Sequence, residues 1–184
     1  MIPPIPATRA ATPDDAPAVT RIYNGGIADR TATFETRERT EDEVAERLRG
    51  PHPAVVALDQ SGEVVAFAWS SAYSKREAYA TIGDHGVYVA REVRGHGYGE
   101  VALRALMMAA RDAGLHKLTS RVFVDNAASR RLHARCGFRE VGVHRRHARL
   151  DGEWRDVVTV EVLLDEWEDQ TGGRGRLEAP ITSL

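Results

Sequence analysis

The 184-residue chain has a single cysteine, Cys136. That excludes an intrachain disulfide framework, a cysteine-rich zinc site and a CxxC redox pair. No apolar run is long enough to span a bilayer: the most apolar helical stretch, residues 101–110, is broken by Arg104. Neither sign of charge is in excess. Lys plus Arg number 25 against 27 Asp plus Glu, a net of −2, so nothing drives nonspecific binding to nucleic acid. The first nine residues, Met1 to Arg9, contain no apolar stretch of the secretory kind. Internal repeats, an interdomain linker and a Gly-Lys-Ser/Thr phosphate motif are also missing. Hydrophobic residues at 42 % and charged residues at 28 % suffice for one buried core. The expectation is a soluble, cytoplasmic protein with a single domain over residues 1–168 and a patternless, mobile tail over 169–184.

The elements alternate. Thr12-Pro13-Asp14-Asp15 predicts a helix start, running to about Gly25 and burying Val19 and Ile22. Residues 27–39 read as a loop, and Thr40-Glu41-Asp42-Glu43 as a capping box for a short helix presenting Val44 and Leu48. Residues 54–58 and 64–69 form a hairpin around Asp59-Gln60-Ser61-Gly62. Residues 78–90 make a third strand, in which Gly83 and Gly86 mark a bulge or a close backbone approach. A helix over 97–113 carries Leu103, Leu106, Met107 and Ala110 on one stripe and stops at Gly114. A strand over 118–124 follows, then a helix over 126–136 burying Ala128, Leu132 and Cys136. Strands over 140–149 and 156–164 are joined at Asp151-Gly152. This order gives an α/β fold, with a central mixed, mostly antiparallel twisted sheet and helices on both faces.

Arg94-Gly95-His96-Gly97-Tyr98-Gly99 lies between a strand and a strong helix. Glycines there let a ligand approach the backbone, and the free N–H groups and positive dipole end of the helix favour an anion such as a pyrophosphate. A plain connecting turn fits the spacing equally well. A dinucleotide fold fits poorly, because the acid at the required distance, Asp112, falls inside the helix.

Arg94-x-x-Gly97-x-Gly99 after Val87-Tyr88-Val89 resembles the acetyl-CoA pyrophosphate loop of the GCN5-related N-acetyltransferases. Asn126-Ala127-Ala128-Ser129-Arg130-Arg131-Leu132-His133, followed by Gly137-Phe138, resembles the second cofactor-contacting segment of that superfamily. The resemblance covers about residues 7–165. Within the superfamily, Ile22-Tyr23-Asn24, Thr33-Phe34-Glu35-Thr36, Arg76-Glu77-Ala78-Tyr79, Val87-Tyr88-Val89 and Gly152-Glu153-Trp154-Arg155-Asp156 are similar to the phosphinothricin N-acetyltransferase group. That group includes enzymes acting on methionine sulfoximine and arsinothricin.

The resemblance implies transfer of an acetyl group from acetyl-CoA, as cosubstrate and with no metal, to a small amino-acid-like amine by direct attack on the thioester. Val87, Tyr88 and Val89 would hold the cofactor arm. Arg94, Gly95, His96, Gly97, Tyr98 and Gly99 would hold its pyrophosphate, with Asn126 and Ser129 as further contacts. Asp84 stands where the group carries a glutamate base. A carboxylate partly buried there would have a raised pKa and accept the ammonium proton, with a bridging water favoured by its shorter side chain. His85, the competing base, would face the other side of its strand. His133 stands where many members have the tyrosine that protonates the leaving thiolate. Arg130, Arg131 and Arg135 would lower its pKa if they face it. Arg76 and Tyr79 would clamp an acceptor anion, and Phe34 would wall its aliphatic part.

Each of these has a plainer reading. Asp84 would be a strand-end acid in an ion pair, His133 a core-capping histidine, Arg76 and Tyr79 surface residues, Phe34 core and Asn126 only a helix cap. His144 and His147, three apart on a strand, would point to opposite faces, so a zinc pair is not expected. Cys136 reads as a packing residue. Arg139, Arg145, Arg146, Arg149 and Arg155 form a basic cluster that suits solvent, the 3′-phosphate of CoA or a partner subunit. The resembling group implies a homodimer; no nucleic-acid or membrane partner is expected. Two other functions fit the same loop: acetylation of a peptide or protein amine, and a noncatalytic acyl-CoA-binding sensor.

Overall fold

A computed structural model describes residues 6–168; the predicted tail lies outside the described residues. Seven strands form one sheet in the order β1-β2-β3-β4-β5-β7-β6. They are β1 (Ala7–Ala10), β2 (Ala54–Leu58), β3 (Val64–Ala72), β4 (Ile82–Val89), β5 (Lys117–Phe123), β6 (Arg139–Leu150) and β7 (Glu153–Leu163). The helices are α1 (Ala16–Ala28), α2 (Glu41–Arg49), α3 (Tyr98–Asp112) and α4 (Ala127–Arg135). All neighbouring strands are antiparallel except β4 and β5.

Strand alternation sorts the core into two layers. Val55, Ala57, Ala66 and Ala68 face Leu103, Leu106, Met107 and Ala110 of α3. Val56, Phe67 and Trp69 face Val19, Ile22, Tyr23 and Ile27 of α1 and Val44 of α2. The α3 stripe is therefore the one its sequence spacing predicts. Thr40 caps α2 as expected, its hydroxyl accepting from the Glu43 N–H at 3.3 Å while Glu43 accepts from the Thr40 N–H at 2.9 Å.

Several boundaries differ from expectation. Strand β1 has only four residues, too few for a periodic signal. Helix α1 runs through Gly25 and Gly26 to Ala28. Packing overrides propensity there: a Cβ on Gly26 would stand 3.1 Å from the Tyr88 ring, and Ile27 is buried. The third strand starts at Ile82, after a 3-10 turn over Glu77–Tyr79. Its two glycines mark close approaches, since a Cβ on Gly83 would meet Leu115 and Leu118 at 2.9 Å. In α4, Ala128 is exposed rather than buried, and His133 takes the inward place beside Cys136.

His144 and His147 do not point to opposite faces. Their rings meet at 5.3 Å. His144 pairs with Val157 and Ala148 with Arg155, so β6 takes four steps where β7 takes two. This bulge turns on Arg146, which adopts a left-handed φ of 50°. The Arg146 N–H is held by Asp156 Oδ1 at 2.7 Å. Period-two alternation fails across such an insertion.

The start of the domain is tied by a buried charge. Arg9 on β1 donates two hydrogen bonds of 2.7 Å to Asp15, which also accepts from the Thr12 N–H at 2.8 Å. Burial pushes the Asp15 carboxyl up, and these hydrogen bonds outweigh it, so its pKa falls below the ordinary value. The stability it contributes is present above the ordinary carboxylate range and is lost as pH falls through the depressed value. Asp15→Ala should cost about 1.5–3 kcal/mol in urea unfolding at neutral pH, and the gap to the parent protein should close in acid.

Candidate active site

The site begins where two strands part. The parallel ladder between β4 and β5 covers only Ile82, Gly83 and Asp84 against Lys117, Leu118 and Thr119. Beyond Asp84, β4 stays paired with β3, and β5 stays paired with β7. The edges of β4 and β5 that face each other are left open. Side chains staple the fork: the Ser120 hydroxyl donates to the His85 carbonyl at 2.9 Å, and His85 Nδ1 lies 2.9 Å from the Thr119 carbonyl.

A cavity of about 1200 Å³ fills the opening, bounded by β4, β5, the 31–35 segment and the starts of α3 and α4. It exceeds the roughly 300–1,000 Å³ of an ordinary small-molecule site. Of the predicted residues, Phe34, Asp84, Val87, Tyr88, Val89, Arg94, Gly95, Gly97, Tyr98, Gly99, Asn126, Ser129 and His133 line it. His96 does not; its Nδ1 turns back to the Val93 and Arg94 carbonyls. Arg76 and Tyr79 also lie outside the cavity lining, both exposed, with Tyr79 packed against Tyr73.

The loop before α3 has the shape an anion needs. Gly95 and Gly97 take φ of 82° and 89°, a region costly to residues with a Cβ. The Glu100 and Val101 N–H groups return to the Gly97 carbonyl. Among the described residues, the N–H groups of Gly95, Gly97, Tyr98 and Gly99 have no backbone acceptor, so the positive end of α3 is open. A Cβ on Gly99 would press Val89 at 3.1 Å and Leu132 at 3.3 Å, which fixes α3 against β4 and α4. Arg94 is tied to the Asp29 carboxylate at 2.7 Å and to the Val89 carbonyl at 3.2 Å.

Asp84 and His85 turn to opposite sides of β4, as alternation requires. Asp84 is ion-paired with Arg121 of β5. Burial raises its pKa, and the Arg121 charge and hydrogen bond pull the other way without cancelling it. The ion pair expected on the plainer reading is present, and the raised pKa expected of a partly buried carboxylate is present with it. His85 meets His133, the Nε2 atoms 3.0 Å apart. Burial lowers the His133 pKa, opposed by the hydrogen bond to the Ser129 carbonyl. The neighbouring arginines are not the cause: Arg130 is paired with Glu140 and Arg135 with Glu100. Asn126 both caps α4, accepting from the Ser129 N–H at 3.0 Å, and holds the 31–35 segment by donating to the Thr31 carbonyl at 2.8 Å. Phe34 packs edge-on to Phe123 at 4.8 Å and forms cavity wall and satellite core at once.

Two features of the site were not read from the sequence: Arg121 beside Asp84, and the contact of His85 with His133. Arg121 is the exposed residue between half-buried Ser120 and buried Val122 on β5, yet only the fork shows that it faces Asp84.

The profile of the acetyltransferase (GNAT) family matches residues 20–138. The chain belongs to the GNAT acetyltransferase family. A phosphinothricin N-acetyltransferase of Streptomyces coelicolor is 35 % identical over 83 % of this chain and 93 % of its own length. An L-methionine sulfoximine/L-methionine sulfone acetyltransferase of Pseudomonas paraeruginosa is 34 % identical, covering 82 % and 90 %. Among solved structures, a GNAT superfamily phosphinothricin acetyltransferase of Sinorhizobium meliloti in complex with acetyl-CoA superimposes with a TM-score of 0.80. It is 28 % identical and covers 86 % of this chain and 88 % of that one. As a GNAT acetyltransferase, the protein shows the forked sheet and the glycine loop in one cavity.

Gly97→Ala should destabilise this acetyltransferase by about 1–2 kcal/mol, because alanine must take the left-handed conformation. Gly25→Ala, inside α1 with nothing within 4 Å of its Cβ, should gain about 0.5–1 kcal/mol. Denaturant unfolding of both variants measures the contrast.

Proposed function

We propose that the protein acetylates the amino group of a small amino-acid-like acceptor of the phosphinothricin, methionine sulfoximine or arsinothricin type, using acetyl-CoA. The observation that carries this is one cavity holding an anion cradle, an open strand edge and a carboxylate with a raised pKa. The cradle and edge fit the cosubstrate: the free N–H groups of Gly95, Gly97, Tyr98 and Gly99 would hold the pyrophosphate, and the backbone of Val87 and Val89 the amide arm. Acetyl-CoA supplies the activated thioester. Asp84 takes the proton from the acceptor ammonium, directly or through water, and Phe34 covers the acceptor side.

The acceptor's acidic group needs a cation in the cavity. Arg76 and Tyr79 lie outside it, so the role passes to Arg121, a cavity residue already beside Asp84. A bound carboxylate or phosphinate would share Arg121 with Asp84 and loosen the ion pair that holds the base charged. A homodimer through the outer hairpin fits the exposed Val141, Val143 and Trp154 on β6 and β7. We place the protein in the cytoplasm; among the described residues no helix is long and apolar enough to cross a membrane.

The deciding assay is CoA release from acetyl-CoA with L-phosphinothricin, L-methionine sulfoximine, arsinothricin, ordinary amino acids and an N-terminal peptide. Turnover confined to the phosphinothricin-like amines supports this reading. Turnover on the peptide favours a protein acetyltransferase, and tight CoA binding without turnover favours a sensor. Asp84→Asn should cut kcat by about 10²-fold. In the parent enzyme activity should fall on the acid side, as the Asp84 carboxylate is protonated above the ordinary carboxylate range. Arg121→Gln should raise the acceptor KM and leave acetyl-CoA binding unchanged; if Arg76→Ala does so instead, the clamp lies at Arg76.

A further inference from the structure

Arg47 on α2 is a cation without a counter-charge. Its guanidinium lies 3.9 Å over the Trp69 ring, and among the described residues it donates to no carboxylate or carbonyl. Stacking uses the face of a guanidinium and leaves the N–H groups at its edge unspent. The acids of the neighbouring chain are taken by other arginines. Glu43 pairs with Arg37 at 2.7 Å, Glu35 with Arg39 at 2.7 Å and Glu46 with Arg49 at 3.3 Å. The Arg47 side chain is exposed, yet desolvation of its head against the sheet lowers its pKa, opposed by Tyr23, Tyr88 and Asp84. A partly desolvated cation with no partner is a place for an anion.

Trp69 joins this charge to the candidate active site. It pairs with Gly86 across β3 and β4. Gly86 is two residues from Asp84, about 7 Å along the strand and on the same face. The Trp69 ring packs on Tyr23 and Tyr88 at 5.0 Å and 6.2 Å. Tyr23, Gly86 and Tyr88 line the cavity, and Arg47 and Trp69 adjoin that lining. The indole N–H has no acceptor among the described residues. Its nitrogen and the Tyr88 hydroxyl each lie 3.4 Å from the point where a Cβ on Gly86 would stand, so two donors converge there.

The balance of charge then says what the site suits. Asp84 is matched by Arg121, and Glu35 by Arg39; Arg47 leaves one positive charge over. The amine and the carboxylate of an amino acid hang from one carbon. An acceptor whose nitrogen meets Asp84 therefore presents its carboxylate to Arg121, on the β5 side of β4. Its side chain is left to run to the β3 side, where Trp69 and Arg47 stand. A zwitterion with a neutral side chain brings no net charge to this arrangement. One that ends in an oxyanion brings the single negative charge that Arg47 lacks.

We infer that Arg47, with the Trp69 N–H, selects acceptors whose side chain ends in an oxyanion such as a phosphinate or a carboxylate. The inference rests on the acetylation reading above and says which of its acceptors the site favours. Phosphinothricin, anionic at the end of its side chain, is preferred; methionine sulfone, neutral there, is not. Arg47 takes no part in the chemistry. It sets specificity through the far end of the acceptor, while Asp84 acts on the amine.

The test is the ratio of kcat/KM for L-phosphinothricin to that for L-methionine sulfone. The wild-type protein should favour phosphinothricin. In Arg47→Met, whose stem still covers the Trp69 ring, the ratio should fall by about 10–100-fold, through KM. Arg47→Lys keeps a point charge without the fork and should lie between the two. Trp69→Phe keeps a ring and removes the N–H, and should lower the ratio by about 3–10-fold. An unchanged ratio in Arg47→Met overturns the inference, whether both rates hold or both fall together. A wild-type preference for the sulfone overturns it too. If no amine is acetylated, the acetylation reading fails, and calorimetry of the two compounds on the CoA-saturated protein tests the anion site alone. Tighter wild-type binding of phosphinothricin that Arg47→Met abolishes sustains the inference; binding without preference, or none, overturns it.

Discussion

The parting of β4 from β5 after a three-residue parallel ladder is the constraint on which the rest of the site depends. A strand inside a sheet satisfies its polar groups on both edges. By ending the ladder at Asp84 and Thr119, the fold leaves one edge of β4 facing a cavity instead of a neighbour. The strands separate because each has a stronger commitment elsewhere, β4 to β3 over seven pairs and β5 to β7 over seven more. At the crotch, Gly83 admits Leu115 and Leu118, and Ser120 and His85 close the last bonds with side chains. Beyond it the glycine loop and the start of α4 face the same space.

Proton chemistry follows from that geometry. Asp84 and His85 are adjacent in sequence and on opposite sides of one strand, so the fork gives each its own environment. Burial acts on both and moves them in opposite directions: the carboxyl up, the imidazole down. Burial disfavours whichever form is charged, so an acid becomes a better base and a histidine a readier proton donor. Arg121 moderates the first; His133 adds to the second, and the Thr119 carbonyl opposes it.

What was legible in the sequence was local. The capping box at Thr40–Glu43, the apolar stripe of α3, the Asp151-Gly152 turn and the glycines before α3 each state their geometry within a few residues, and the structure repeats them. The resemblance placed Asp84, His133 and the loop in one cavity, where they stand. What was not legible depends on contacts between distant segments. Arg121 is one of many exposed arginines until β5 is laid beside β4. His85 looked like a rival base until α4 brought His133 to it, 48 residues later. The Arg76–Tyr79 clamp came from motif likeness alone, and its segment leads into a 3-10 turn outside the cavity. His144 and His147 were misplaced because alternation assumes an uninterrupted ladder, and a left-handed Arg146 held by Asp156 interrupts it.

An open strand edge has a consequence for the lifetime of the protein. A ligand that lies along β4 takes the position of a missing strand, and its binding is then part of the cohesion of the sheet. Such a fold gains RT ln(1 + [L]/Kd), about 2.7 kcal/mol at a hundredfold excess over Kd. The same molecule would be food for the reaction and mortar for the enzyme. In a starved cell, where the acyl donor runs low, the sheet would be left with its gap unfilled and the chain more open to proteases.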